Sequence, residues 1–127
     1  MELKFNTISG ISVLEVWGDL QYTNWKDFVN GANELVNQGK ERIVVSWEHA
    51  EYIDSSAMGA LVTIHKLFKK FPEGKAVVFA PHEDHIFILQ QAHFHAFLEI
   101  YDDLNKAVES CLNTASSNGI HETTLKT

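Results

Sequence analysis

Two short apolar runs constrain the fold of this chain more than any other feature. They are RIVVSW at residues 42–47 and KAVVFA at residues 75–80. Both are apolar and rich in β-branched residues, which is typical of strands buried on both faces of a sheet. Between them lies a stripe of apolar residues at helical spacing: Ala57, Leu61, Ile64, Phe68 and Phe71. Two strands joined through a helix need a crossover connection, so we expect them to pair in parallel.

The remaining segments extend this unit into one mixed α/β sheet domain with helices packed on the sheet. The predicted order is β β α β α β α β α, with strands three to five mostly parallel, strand three central and an opening hairpin at one side. Thr23 or Asn24 is the expected N-cap of the first helix. The other predicted elements are the hairpin 3–8 and 11–17, the helices 22–37, 57–71, 81–91 and 102–112, and the strand 97–101. A single domain is expected over residues 1–112, followed by a flexible tail over 113–127.

Composition narrows the class of protein further. The chain has 127 residues, 17 acidic and 10 basic side chains and a net charge of −7, which argues against a nucleic-acid partner. A single cysteine, Cys111, cannot form an internal disulfide. The sequence has neither an apolar run of the roughly 20 residues that a membrane span needs nor a leader pattern. We therefore expect a cytoplasmic protein without membrane insertion.

The segment IDSSAMG at residues 53–59 places an acid and two hydroxyls at the start of the long helix. Residues of these types commonly cap helices, so capping is one interpretation and a reactive or modified hydroxyl is the other. A serine hydrolase is disfavoured because the chain has no GxSxG motif. His65 also lies about 15 Å further along the same helix, too far to serve Ser55 as a base. We expect no enzymatic activity, and a small hydrolase remains a remote third class.

The run RIVVSW, a polar link, IDSSAMGALV and a long helix together resemble the STAS domain of bacterial anti-sigma factor antagonists. The usual family pattern is Asp-Ser-Ser/Thr-Gly-Leu-Gly, and the resemblance covers residues 1–112. It implies that Ser55 is the hydroxyl phosphorylated by an ATP-using anti-sigma factor kinase, with Ser56 the less favoured position. Asp54 and Gly59 match other positions of the motif. Ala57 and Met58 depart from it, and the segment GDLQ at 18–21 lacks the acid usual after that turn.

The same resemblance implies a phosphorylation-controlled protein-binding module that regulates transcription by partner switching. The implied partners are an anti-sigma factor serine kinase, bound by the unphosphorylated domain, and a PP2C-like serine phosphatase. The alternative is a structural STAS subunit of a signalling assembly or transporter system, in which Ser55 is only a helix cap. The predicted partner surface, with Met58 and Val62 as apolar residues near the surface, consists of Asp54, Ser55, Ser56, Met58, Gly59, Val62 and Lys66.

Histidines and tryptophans are the other residues that could carry chemistry. His82 and His85 would share a face only in a helix, whereas His93 and His95 would share one only in a strand. The two pairs need not converge, so we predict solvated or capping histidines, no metal site and no cofactor. The tryptophans, Trp17, Trp25 and Trp47, are interpreted as core or subsurface residues.

Overall fold

The computed structural model describes residues 1–113 and shows one sheet with helices on both faces. The strands are β1 Glu2–Ile8, β2 Ile11–Leu20, β3 Arg42–Ser46, β4 Ala50–Ile53, β5 Lys75–Phe79 and β6 Ile100–Tyr101. The helices are α1 Trp25–Asn37, α2 Ser55–Phe68, α3 Glu83–Gln91 and α4 Leu104–Leu112, with a short 3₁₀ helix at Phe94–Ala96. The mixed α/β class predicted from the sequence is confirmed.

The sheet has the strand order β1-β2-β3-β5-β6, and β4 pairs with β2 beside this path. β1 and β2 form the predicted antiparallel hairpin, whose turn residues Ser9 and Gly10 have φ values of 52° and 84°. Two successive positive φ values are typical of the tight turn that matches strand twist. β2, β3, β5 and β6 pair in parallel, so β3 is central as predicted.

The structure corrects the interpretation of residues 48–52, which the sequence presented as a polar link. β4 lies in this region and pairs in parallel with the end of β2, with Gly18 opposite Ala50 and Leu20 opposite Ile53. Only the first and last residues of β4 are buried. The strand therefore shows neither an apolar run nor a period of two, and its partner strand is what makes it recognisable.

Each face of the sheet has its own apolar core. The larger core includes Phe28 of α1, Leu61 of α2 and Leu89 of α3. The smaller core lies on the other face and includes Val108 and Cys111 of α4. α2 is therefore on the sheet face opposite to α4. Trp47 is fully buried, whereas Trp17 and Trp25 are half-buried, in agreement with the expected core and subsurface positions.

Several predicted boundaries shift in the structure. α1 begins at Trp25 rather than at residue 22, and α2 ends at Phe68, so Phe71 lies beyond the helix. The last strand has two residues because the 3₁₀ helix occupies the preceding segment. Most of the predicted tail, residues 114–127, lies outside the described residues. Within residues 1–113, no helix has both the length and the hydropathy needed to span a membrane.

Candidate functional site

Asp54, and not Ser55, is the N-cap of α2. Its backbone is extended, and its Oδ1 accepts a hydrogen bond of 2.8 Å from the backbone N–H of Ser56. Ser55 is consequently the first residue of the helix. Its side chain is exposed, and its hydroxyl forms no hydrogen bond with any residue in the described part of the chain. The interpretation of Ser55 as a helix cap is therefore wrong.

The second carboxylate oxygen of Asp54 ties this helix start to the loop between β2 and α1. Asp54 Oδ2 accepts a hydrogen bond of 3.1 Å from the backbone N–H of Tyr22. A second carboxylate makes the reciprocal contact. Asp19 Oδ1, near the end of β2, accepts a hydrogen bond of 3.2 Å from the backbone N–H of Tyr52. The end of β2 and the loop that follows it are thus held against β4 and the start of α2.

Two exposed tyrosines lie beside these hydrogen bonds, Tyr22 in the loop before α1 and Tyr52 in β4. Tyr22 is 73% exposed and Tyr52 is 57% exposed. Sequence analysis did not single out either residue, because Tyr22 was included in the first helix and Tyr52 in a polar link. Only the tertiary structure reveals the position of these tyrosines, because each backbone N–H donates a hydrogen bond to a carboxylate more than 30 positions away in the sequence. Exposed aromatic residues are frequent in protein interfaces.

The residues predicted to form a partner surface divide into three groups by exposure. Ser55, Gly59 and Lys66 are exposed, and Asp54, Ser56 and Val62 are half-buried. Met58 is only 9% exposed and belongs to the larger core, so the expectation that it lies near the surface is wrong. The reason is that Met58 borders the buried stripe three residues before Leu61, which turns its long side chain inward.

Gly59 lies on the exposed side of α2, where it has no side chain and the space around its Cα is open. A Cβ atom built on Gly59 would meet no atom within 4 Å beyond its chain neighbours and the backbone of its own helix. Glycine in a helix interior costs about 1 kcal/mol relative to alanine, and no contact within the described residues requires it here. Ser55 and Gly59 are both exposed and lie one helical turn apart, so together they form an exposed strip on one face of α2.

Electrostatics at the helix start oppose a second negative charge. The adjoining segments 18–24 and 50–59 contain three acids, Asp19, Glu51 and Asp54, and no lysine or arginine. A phosphate on Ser55 would add a charge of roughly −1.5 to −2 next to Asp54. The helix dipole would attract this charge while Asp54 repelled it. Neither segment could supply a paired cation.

His82, His93 and His95 are exposed, as expected for solvated histidines. Among the described residues, no three or more His, Cys, Asp or Glu side chains form a group that could hold a metal ion. His85 differs, because it is only 5% exposed. His65 of α2 is half-buried, and burial, followed by the charge of Lys69, lowers its pKa from 6.5.

Comparison with known proteins decides the family. A family model described as the STAS domain matches residues 2–107, which span the sheet, the helix start at Ser55 and the beginning of α4. The chain belongs to the STAS domain family. This STAS domain matches no curated protein.

Solved structures share the fold of this STAS domain at low sequence identity. An anti-sigma factor antagonist from Mycobacterium paratuberculosis has a TM-score of 0.78 and 15% identity, covering 88% of this chain and 94% of its own. The Bacillus cell fate determinant SpoIIAA in its phosphorylated form has a TM-score of 0.63 and 14% identity, with coverages of 85% and 97%. A sulfate transporter family protein from Wolinella succinogenes has a TM-score of 0.67 and 16% identity, with coverages of 88% and 93%.

Proposed function

We propose that this STAS domain is an anti-sigma factor antagonist whose binding is switched by phosphorylation of Ser55. The unphosphorylated domain binds an anti-sigma factor that is also a serine kinase, and thereby regulates transcription. A PP2C-like serine phosphatase restores the binding form. In this scheme the chain is a substrate in the cytoplasm, not an enzyme.

The exposed, unbonded hydroxyl of Ser55 is the observation that carries this proposal. Because Asp54 supplies the cap, Ser55 can be modified without removing a hydrogen bond on which α2 depends. A kinase can therefore reach the hydroxyl while the domain remains folded. Ser56 is the less suitable substrate because it is half-buried and its backbone N–H is held by Asp54.

The charge pattern supports release of the partner after phosphorylation. The phosphate would have no lysine or arginine in the adjoining segments 18–24 and 50–59 with which to pair. A protein partner that covered Ser55 would have to remove this charge from water without a counterion from this domain, which costs several kcal/mol. Binding would then weaken although the fold is unchanged.

A structural STAS subunit of a transporter or signalling assembly is the second candidate. The likeness to the sulfate transporter family protein favours it. Ala57 and Met58, which differ from the residues usual in switching antagonists, favour it as well. In this role Ser55 would stay unmodified, and the strip formed by Ser55 and Gly59 would be a permanent contact.

Intact-mass measurement of the protein purified from its own cells, followed by peptide mapping, tests the proposal. We expect a fraction that carries one phosphate on Ser55. The matched variants are Ser55→Ala, which should abolish the modification, and Ser56→Ala, which should retain it. Absence of phosphate throughout growth and stress would instead support the structural subunit.

A further inference from the structure

The outer edge of β1 is open at one side of the sheet. β1 pairs with β2 alone, and no other strand within residues 1–113 lies beside it. Five of its seven residues are exposed, and the other two are half-buried. An open edge presents backbone N–H and C=O groups that can pair with a further strand. Neither Ser55 nor the two exposed tyrosines belong to β1, so this edge is separate from the site proposed above.

The register of the β1–β2 hairpin decides which backbone groups of β1 face outward. Its two-residue turn joins Ile8 to Ile11, and such a turn closes on a hydrogen-bonded pair. Because bonded and non-bonded pairs alternate along an antiparallel ladder, the even-numbered residues of β1 bond to β2. The backbone N–H of Thr7 agrees, since it donates to Asn6 Oδ1 at 3.1 Å and not to β2. The residues of β1 with outward-facing backbone groups are Leu3, Phe5 and Thr7.

The side chains of β1 give its two faces different chemistry. Leu3 and Phe5 face α1, since a Cβ built on Gly31 would lie 2.8 Å from Leu3 Cδ1 and 3.5 Å from Phe5 Cζ. Phe5 is nevertheless 49% exposed. Glu2 and Lys4 point to the opposite face, because side chains alternate along a strand, and both are exposed. One face of the edge is therefore apolar, and the other carries one acid and one base.

Most ways of pairing β1 antiparallel with a second β1 are unfavourable. A register centred on Lys4 would place the two lysines directly opposite each other, and like charges in that position are destabilising. Registers centred on Phe5 or on a later residue would include Thr7, whose outward N–H is already donated to Asn6. The register centred on Leu3 avoids both problems.

We propose that β1 pairs antiparallel with β1 of a second copy of this chain, with the two Leu3 residues opposite each other at a two-fold axis. In this register Lys4 of each copy lies opposite Glu2 of the other, and opposite charges across strands are stabilising. On the apolar face Phe5 lies opposite Met1, which is 38% exposed. The strand is thus self-complementary in charge, apolar side chains and outward backbone groups, as a two-fold interface requires.

Sedimentation equilibrium of the full-length protein at pH 7.5 and low salt tests the proposal. Five residue pairs form an interface at the small end of the range for specific complexes, so we expect a reversible dimer with a dissociation constant on the order of 100 μM. A monomer at every concentration up to about 1 mM would overturn the proposal and would show that Lys4 protects the edge from pairing.

Charge reversal tests the register. Lys4→Glu and Glu2→Lys should each weaken the dimer at least about tenfold, because each creates two like-charge pairs. The double variant Glu2→Lys/Lys4→Glu should restore the dissociation constant to within about threefold of the wild type. Lys70→Glu is the control, since it makes the same charge change as Lys4→Glu at an exposed position after α2. Melting temperatures verify that each variant folds, because Lys4 Nζ also lies 4.1 Å from the centroid of the Trp17 ring.

Three results with these variants would overturn the proposal. A dimer that Lys4→Glu and Glu2→Lys leave intact would use another surface or another register. Failure of the double variant to restore dimerisation would show that the two residues do not face each other. Equal weakening by Lys70→Glu would show that only the net charge of the protein matters.

Discussion

The carboxylate of Asp54 accepts a hydrogen bond of 3.1 Å from the backbone N–H of Tyr22, which lies 32 positions earlier in the chain. Its other oxygen caps α2 through Ser56. One side chain thus fixes both the start of the helix and the neighbouring loop. Ser55 stands between these two contacts with a hydroxyl that has no structural role.

Stability should depend on Asp54 and not on Ser55. Asp54→Ala removes a helix cap and the bond to Tyr22, so we expect a loss of at least about 1 kcal/mol. The melting temperature should fall by roughly 4 °C or more. Ser55→Ala is the matched control and should change it by less than about 2 °C. Calorimetric unfolding of both variants measures the difference, and a larger loss for Ser55→Ala would contradict the assigned cap.

A charge at position 55 should weaken partner binding without unfolding the domain. Ser55→Asp places one negative charge at the helix start, whereas Ser55→Asn has nearly the same shape and no charge. Titration calorimetry against the serine kinase of the same organism should show at least about tenfold weaker binding for the Asp variant, because its charge is desolvated without a counterion. If Asp and Asn variants bind equally well, the charge does not control the interaction.

Bulk at position 59 should block a partner that lies on α2. Gly59→Trp should fold, because a Cβ there meets no atom within 4 Å beyond its chain neighbours and its own helix backbone, but it should reduce kinase binding at least about tenfold. Gly59→Ala should raise stability by up to about 1 kcal/mol. Glu109→Trp, at an exposed position of α4 on the other sheet face, controls for the added aromatic ring. Undiminished binding by Gly59→Trp would place the partner elsewhere.

His65 should make the domain less stable in mild acid. Its folded-state pKa is lowered below 6.5, so the unfolded chain binds more protons near and below that pH. Its contribution to the free energy of unfolding is therefore complete above pH 6.5 and decreases as the pH falls toward the folded-state pKa. In urea unfolding at pH 7.5 and 5, His65→Gln should reduce the difference between the two pH values. The exposed His95→Gln is the control, and an equal effect of that variant would refute the assignment.

The last 14 residues should contribute little to folding. Residues 114–127 have few apolar side chains and no helical or strand period. Deleting them should leave the melting temperature within about 2 °C of the full-length value. Circular dichroism melting of the two chains checks this expectation. A decrease of more than about 4 °C would show that this segment docks on the domain.

The helices and strands that could be predicted from the sequence have a recognisable pattern within their own residues. Periodicity revealed the stripe from Ala57 to Phe68, and apolar runs revealed β3 and β5. β4 was missed because a four-residue strand with two exposed central residues depends on its pairing with β2. Short strands of this kind are stabilised by their neighbours rather than by their own sequence pattern.

In the candidate site, too, some features could be predicted from the sequence and others depend on the folded structure. Residue order alone placed Asp54 and Ser55 at a helix start, because polar caps precede apolar periodic segments. It could not show which of the two is the cap, since that depends on backbone angles and on which oxygen meets which N–H. The burial of Met58 and the hydrogen bond from Tyr22 to Asp54 both depend on segments that are distant in sequence. Such contacts exist only once the chain has folded, so the tertiary structure alone decides them.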